Sequence, residues 1–139
     1  MYLLFFLFSI FYTNLPNGTL TVTILNFRNN QGQVSVALYD HEEGFPKSPD
    51  KALKIITAPI SNKKSIILFE SLPPGEYAIS VFHDENKNGK MDSNIFGIPK
   101  EGIGSSNDAR GHLGPPHYSD AKFNFNGNAQ SVIINMVYL

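Results

Sequence analysis

The sequence predicts an all-β protein: an antiparallel two-sheet β-sandwich of about seven strands, with one long ordered loop over residues 83–119. Three observations predict it. Apolar residues alternate with polar ones in several short runs rich in Val, Ile and Thr. Turn-forming clusters separate those runs at close intervals. No segment carries the apolar period of an amphipathic helix.

In chain order, "TLTVTILNF" from Thr19 puts Leu20, Val22 and Ile24 on one face, and "RNNQG" turns the chain. "QVSVALYD" alternates again, with Val34, Val36 and Leu38 inward. "HEEGFPKSPDKA" reads as a polar loop whose Phe45 tucks against the sandwich edge or, alternatively, offers a sugar-stacking ring. "LKIITAPI" and "KKSIILFE" are strands split by "SNK". "SLPPGE" is a tight turn, because Pro73, Pro74 and Gly75 suit neither a helix nor a central strand. "YAISVF" follows, with Tyr77, Ile79 and Val81 on one side, and "AKFNFNG" with "SVIINMVYL" reads as a closing hairpin. The expected core includes Val36, Leu38, Ile67, Ile79, Val81 and Ile133.

Between Phe82 and Asp120 the rhythm stops. A segment that long without regular structure is functional or disordered in most compact domains. Ile95, Phe96, Ile98, Ile103, Leu113 and Tyr118 are spaced through it, and the expectation is that they pin it down as an ordered loop.

The length suits one domain over residues 17–139, large enough to bury its own core. The opening run "YLLFFLFSIFY" is too short to span a bilayer comfortably and matches the apolar region of a signal peptide. Residues 1–16 are therefore read as an export signal rather than a buried first strand, although a basic residue near Met1 and a small-x-small cleavage site are missing. Export places the protein in the periplasm, the outer envelope or outside the cell, with no transmembrane span in the mature chain. A net charge of -1 offers no bulk field for nucleic acid or anionic membrane. The chain has no cysteine, which excludes disulfides and thiolate metal sites.

The most specific chemistry lies in "HDENKNGKMDSN", from His83 to Asn94. Calcium takes roughly six to eight oxygens, and its loops supply them at alternate positions before a glycine turn. Asp84, Asn86 and Asn88, then Gly89, the Lys90 carbonyl and Asp92 match that spacing. The bidentate acid of an EF-hand is replaced by Ile95, and a strand rather than a helix leads in. This is a strand-borne calcium-type loop, completed from Asn94, Glu101, Asp108 or Asp120. Glu85 should point outward. With two charged ligands the affinity should be weak, on the order of 10⁻⁴–10⁻³ M. A plain Asx-rich polar turn is the alternative reading.

Other constellations are weaker. His112 and His117 flank "LGPP", where prolines forbid a helix presenting both, and His83 and His41 fit a strand end and a polar loop. "GIGSSN" lacks the G-x-S-x-G elbow, and Ser105 and Ser106 have no evident base. Nothing brings Glu76 and Glu101 together as an acid–base pair. Arg110 is expected to anchor the long loop to an acid or to bind an anionic ligand.

The order "VALYDHEEGFP" followed by "FESLPPGEYAISVFHDENKNGKMDSNIFGIPKEGIGSSNDARGHLGPPHYSDAKF" resembles the bacterial family called domain of unknown function 2141, from Thr19 to the C-terminus. The "LPPGEY" piece is similar, more loosely, to transthyretin-like and carboxypeptidase-regulatory-like sandwiches. The resemblance implies a small exported β-sandwich with no established activity and no catalytic residues. Its signature falls on His83, Asp84, Asn86, Asn88, Gly89, Asp92, Gly97, Pro99, Glu101, Asn107, Ala109, Arg110, Gly114 and Pro115. Ile103 and Ser105 stand where the family is associated with aromatic residues, which weakens any aromatic ligand platform there. Sequence alone thus points to a calcium-stabilised, non-enzymatic module that binds an envelope or extracellular ligand. The alternatives are a hydrolase using the loop's acids or a purely structural accessory domain.

Overall fold

The structure is a computed structural model and describes residues 17–139; the export-signal reading of residues 1–16 lies outside the described residues. Among the described residues eight strands form two sheets. They are β1 (Gly18–Leu25), β2 (Gln33–Tyr39), β3 (Lys54–Ala58), β4 (Ser65–Leu72), β5 (Gly75–Asp84), β6 (Ile103–Ser105), β7 (Phe123–Phe125) and β8 (Ala129–Asn135). One sheet runs β4-β1-β8, and the other runs β3-β2-β5-β6, with β7 also on β5. A single helical turn, α1 (Tyr118–Ala121), and two 3₁₀ turns at Pro49–Lys51 and Ser106–Asp108 complete the described residues.

The alternation settles the inner faces. Leu20, Val22 and Ile24 of β1, with Ile67 and Phe69 of β4, face Val36 and Leu38 of β2 and Tyr77, Ile79 and Val81 of β5, all buried. β5 is the spine of its sheet. β2 pairs along one edge, from Tyr39 opposite Ala78 to Gln33 opposite Asp84. β7 and β6 share its other edge, β7 at Gly75–Tyr77 and β6 at Ser80–Phe82. Between them the Ile79 amide donates to Ser106 Oγ at 2.9 Å, and that hydroxyl donates to the Ala121 carbonyl at 2.5 Å. Phe45 does tuck against the sandwich edge, edge-to-face with Tyr39 at 5.3 Å and Tyr118 at 5.8 Å.

Three expectations need correction. The sandwich is not fully antiparallel, since β8 runs parallel to β1, from Thr19 opposite Ala129 to Leu25 opposite Asn135. The expected closing hairpin does not form: β7 pairs with β5, the chain turns through Gly127 (φ 82°), and β8 joins the other sheet. Ile133 is 58% exposed, and Ile134 takes the core position instead. The run Val132-Ile133-Ile134 has no alternation to reveal its phase, and a one-residue shift exchanges the faces.

Truncating a buried side chain costs transfer and cavity energy together, whereas an exposed one costs little. Ile79→Ala is expected to lose about 2–4 kcal/mol in urea denaturation. Ile133→Ala should stay within about 0.5 kcal/mol of the parent. Equal losses would mean that the faces are misassigned.

Candidate functional site

β5 ends on two fully buried polar residues, His83 and Asp84. Where the chain then leaves the sheet, its amides need acceptors away from the ladder. Asp84 supplies them. Its Oδ1 accepts from the Asn88 amide at 3.1 Å, and its Oδ2 from the Gly89 amide at 2.9 Å and Gln33 Nε2 at 3.3 Å. Gly89 has φ 75° with open space around it, so its backbone conformation alone favours glycine. Gly32 is required differently: a Cβ there would sit 2.0 Å from the Asp84 carbonyl oxygen.

Glu101, also buried, closes the loop from below. Its Oε2 accepts from the Glu85 amide at 2.6 Å and its Oε1 from the Asp92 amide at 3.0 Å, tying entry to exit. Above this floor three side chains meet. Asn86 Nδ2 donates to Asp92 at 2.7 Å, and Asn88 Nδ2 donates to both Asp92 oxygens at 2.9 and 3.1 Å. Hydrogen bonds from Asn88 and Asn86 hold the Asp92 carboxyl below its ordinary 3.8. Asn88 Oδ1 accepts from the Lys90 amide at 2.9 Å.

The sequence-predicted residues therefore gather as one loop: Asn86, Asn88 and Asp92 touch one another, Asp84 lies beneath, and Lys90 is tied to Asn88. Of the reserve ligands only Glu101 joins them. Asn94 Oδ1 caps the Phe96 and Ile98 amides, Asp108 accepts from Asn135, and the Asp120 carbonyl accepts from Asn107. Carboxylate, carboxamide and carbonyl oxygens suit a hard cation such as calcium. Rotating the Asn86 and Asn88 carboxamides would exchange the nitrogens now facing Asp92 for oxygens. No group of three or more His, Cys, Asp or Glu placed to hold a metal occurs among the described residues. A cation here would rely on this mixed set.

A second network, missed from sequence, braces the strand end. His83 Nε2 donates to the Gln31 carbonyl at 2.6 Å, and Nδ1 is hydrogen-bonded to the Tyr138 hydroxyl at 2.8 Å. Arg28 lies 4.6 Å over the Tyr138 ring and forms an ion pair with Glu85, which also accepts from Asn29 at 3.2 Å. Glu85 points away from the loop interior, as expected, but onto Arg28 rather than into open solvent. Arg28 also does the anchoring expected of Arg110, which is exposed and makes no salt bridge among the described residues. Of the apolar side chains expected to pin the long segment, Ile95, Phe96, Ile98 and Leu113 do not, being exposed, whereas Ile103 in β6 and Tyr118 against Phe45 are partly buried. Buried carboxylates hold its first half instead.

The remaining candidates stay apart. Glu76 sits at the start of β5, beside Lys122 at 3.6 Å and Tyr118. Glu101 lies past the strand's far end, about 25–30 Å away by strand rise. A cleft of ≈ 550 Å³ between residues 42–46 and 112–119 holds His112, His117 and a single carboxylate, Glu42.

The family profile described as "Uncharacterized protein conserved in bacteria (DUF2141)" matches residues 22–133. The chain belongs to this family. No curated protein and no solved structure matches it significantly.

Two stability measurements follow from this geometry. Glu101→Ala leaves two amides without their acceptor and should cost about 1–3 kcal/mol in denaturation. Burial works to raise the Glu85 carboxyl, but hydrogen bonds from Asn29 and Arg28 and the Arg28 charge outweigh it, so it lies below its ordinary 4.5. A depressed carboxyl stabilises fully above its unfolded value, and that contribution fades as pH falls through the folded one. Glu85→Gln should therefore flatten the loss of stability below about pH 4.5. An unchanged acid limb would show that the Arg28 pair contributes nothing.

Proposed function

We propose that this member of the family is an exported, non-catalytic β-sandwich module. Its strand-borne loop Asp84–Asp92 binds calcium, and the module takes a ligand or partner at the cell envelope or outside the cell. The calcium reading is carried by one observation: Asn86, Asn88 and Asp92 meet over the buried carboxylates of Asp84 and Glu101. Asp84, Asn86, Asn88 and Asp92 would offer side-chain oxygens and Lys90 its carbonyl, with Glu101 the nearest further donor. Calcium would supply charge neutralisation and fix the loop; the chain's own residues already set its curvature.

Export is supported by the composition of residues 1–16, and no helix long and apolar enough to cross a membrane occurs among the described residues. The hydrolase alternative needs convergent carboxylates in a cleft. Glu76 and Glu101 lie at opposite ends of β5, and the acids of the loop are engaged with its own amides. That leaves the non-catalytic reading better supported.

Calcium that binds only the folded form adds stability by mass action. At roughly tenfold excess over its dissociation constant the gain is about 1.4 kcal/mol, which raises the Tm of a domain this size by a few degrees. Melting in millimolar calcium against chelator should show that rise. Asp92→Ala should remove it, and Glu85→Ala should lower both melts while keeping the difference. Identical wild-type melts in the two buffers would leave only a polar turn. For export, N-terminal sequencing of protein from an envelope or culture fraction should find a start between Tyr12 and Gly18. Uncleaved chain confined to the cytosol would contradict it.

A further inference from the structure

Just past the loop the chain makes a second, tighter turn. The Gly97 amide donates to the Asn94 carbonyl at 3.0 Å and the Asn94 amide to the Ile98 carbonyl at 2.8 Å. Asn94 Oδ1 accepts from the Phe96 amide at 2.9 Å and the Ile98 amide at 3.0 Å, and Gly97 has φ 76°. Asn94 and Gly97 thus meet the turn's conformational needs at its two ends. Its apex residues, Ile95 and Phe96, are 93% and 80% exposed, with exposed Ile98 beside them. Polar residues usually take such positions, and neither side chain is buried in the fold. The other exposed β-branched residues Ile55, Ile66 and Ile133 lie in strands, where β-propensity accounts for them, and Leu113, also exposed, has no apolar neighbour on either side in sequence.

Charge around this apex is sorted. Asp84 and Glu101 are buried and Glu85 pairs with Arg28, while Asp92, bonded by the neutral carboxamides of Asn86 and Asn88, stays partly exposed. Lys87, Lys90 and Lys100 are exposed and make no salt bridge among the described residues. Three exposed lysines thus face solvent against one partly exposed carboxylate, Asp92. The imbalance is one of exposure and not of net charge, since Arg28, Lys87, Lys90 and Lys100 match Asp84, Glu85, Asp92 and Glu101 in number.

We propose that the Asn94–Gly97 turn is a tip that contacts anionic lipid, with Ile95 and Phe96 entering the headgroup region and Lys87, Lys90 and Lys100 pairing with phosphates. A projecting apolar apex suits a bilayer interface, which accepts a few apolar side chains beside basic ones. It does not suit a protein interface, which needs roughly 800 Å² of fitted surface per partner. The proposal deepens the envelope reading and rests on it for the surface the tip would meet.

The chain has no tryptophan, so Phe96→Trp in the full protein makes a single fluorescent reporter at the apex. Ile133→Trp, on the exposed sheet face, is the control, because it registers insertion through that face. The probe is a vesicle of phosphatidylcholine and phosphatidylglycerol. Emission from the apex reporter should shift to the blue and be quenched by brominated acyl chains, while the sheet-face reporter stays unchanged. Replacing Lys87, Lys90 and Lys100 together by Gln should weaken vesicle affinity by roughly a hundredfold, about fivefold per lysine. A silent apex reporter, equal shifts at both positions, an equal response to pure phosphatidylcholine, or an unaffected lysine variant each overturns the proposal. Parallel runs in calcium and chelator separate the two readings. A calcium-dependent melt with a silent apex reporter removes the tip alone, and a responsive apex reporter without a calcium effect removes the calcium loop alone.

Discussion

Two buried carboxylates organise the end of this sandwich. β5 delivers Asp84 into a site without solvent, and Glu101 returns beneath it from the far side of the loop. An ionised carboxylate is costly to bury unless hydrogen bonds surround it, and amides leaving a sheet are costly unless they find acceptors. The two demands answer each other here. Asp84 and Glu101 take the amides of Glu85, Asn88, Gly89 and Asp92, and such charge-assisted bonds are stronger than bonds between neutral groups. The positions of Asn86, Asn88 and Asp92 follow from that floor, and so does the base from which the Asn94–Gly97 turn projects.

The strand end is braced from elsewhere in the chain. His83 is held between the Gln31 carbonyl and the Tyr138 hydroxyl, and packs edge-to-face on Phe27 at 5.2 Å. Arg28 stacks on Tyr138 and reaches Glu85. The turn after β1, the end of β5 and the C-terminus are thereby joined through one polar cluster. The parallel pairing of β8 with β1 makes this possible, because it carries both strands to the same end of the sandwich. The loop is thus built on a braced strand end although its tip is exposed.

What the sequence made legible was local. Strict alternation in β1, β2 and β5 identified Leu20, Val36, Ile79 and their neighbours as core. β6 and β7 span only three residues each, too few for any period to register. Alternation also carries no strand direction, so the parallel β8 looked like half of a hairpin. At the site, the spacing of Asp84, Asn86, Asn88 and Asp92 was readable because one loop contains all four. Their supports were not, since Gln33 lies 51 residues from Asp84, Arg28 57 from Glu85 and Tyr138 55 from His83. Ile95, Phe96 and Leu113 were misread because spacing distinguishes neither an apolar anchor from an apolar tip nor a side chain's direction.

The measurement that bears most directly on this account is amide hydrogen exchange, by NMR, on the metal-free protein in chelator. If Asp84 and Glu101 hold the loop by themselves, the Glu85, Gly89 and Asp92 amides exchange slowly, within reach of the β5 amides that pair with β2. Exchange of all three at the rate of an unstructured peptide, with β5 still protected, would contradict it: the carboxylates would then not be the floor on which the site is built.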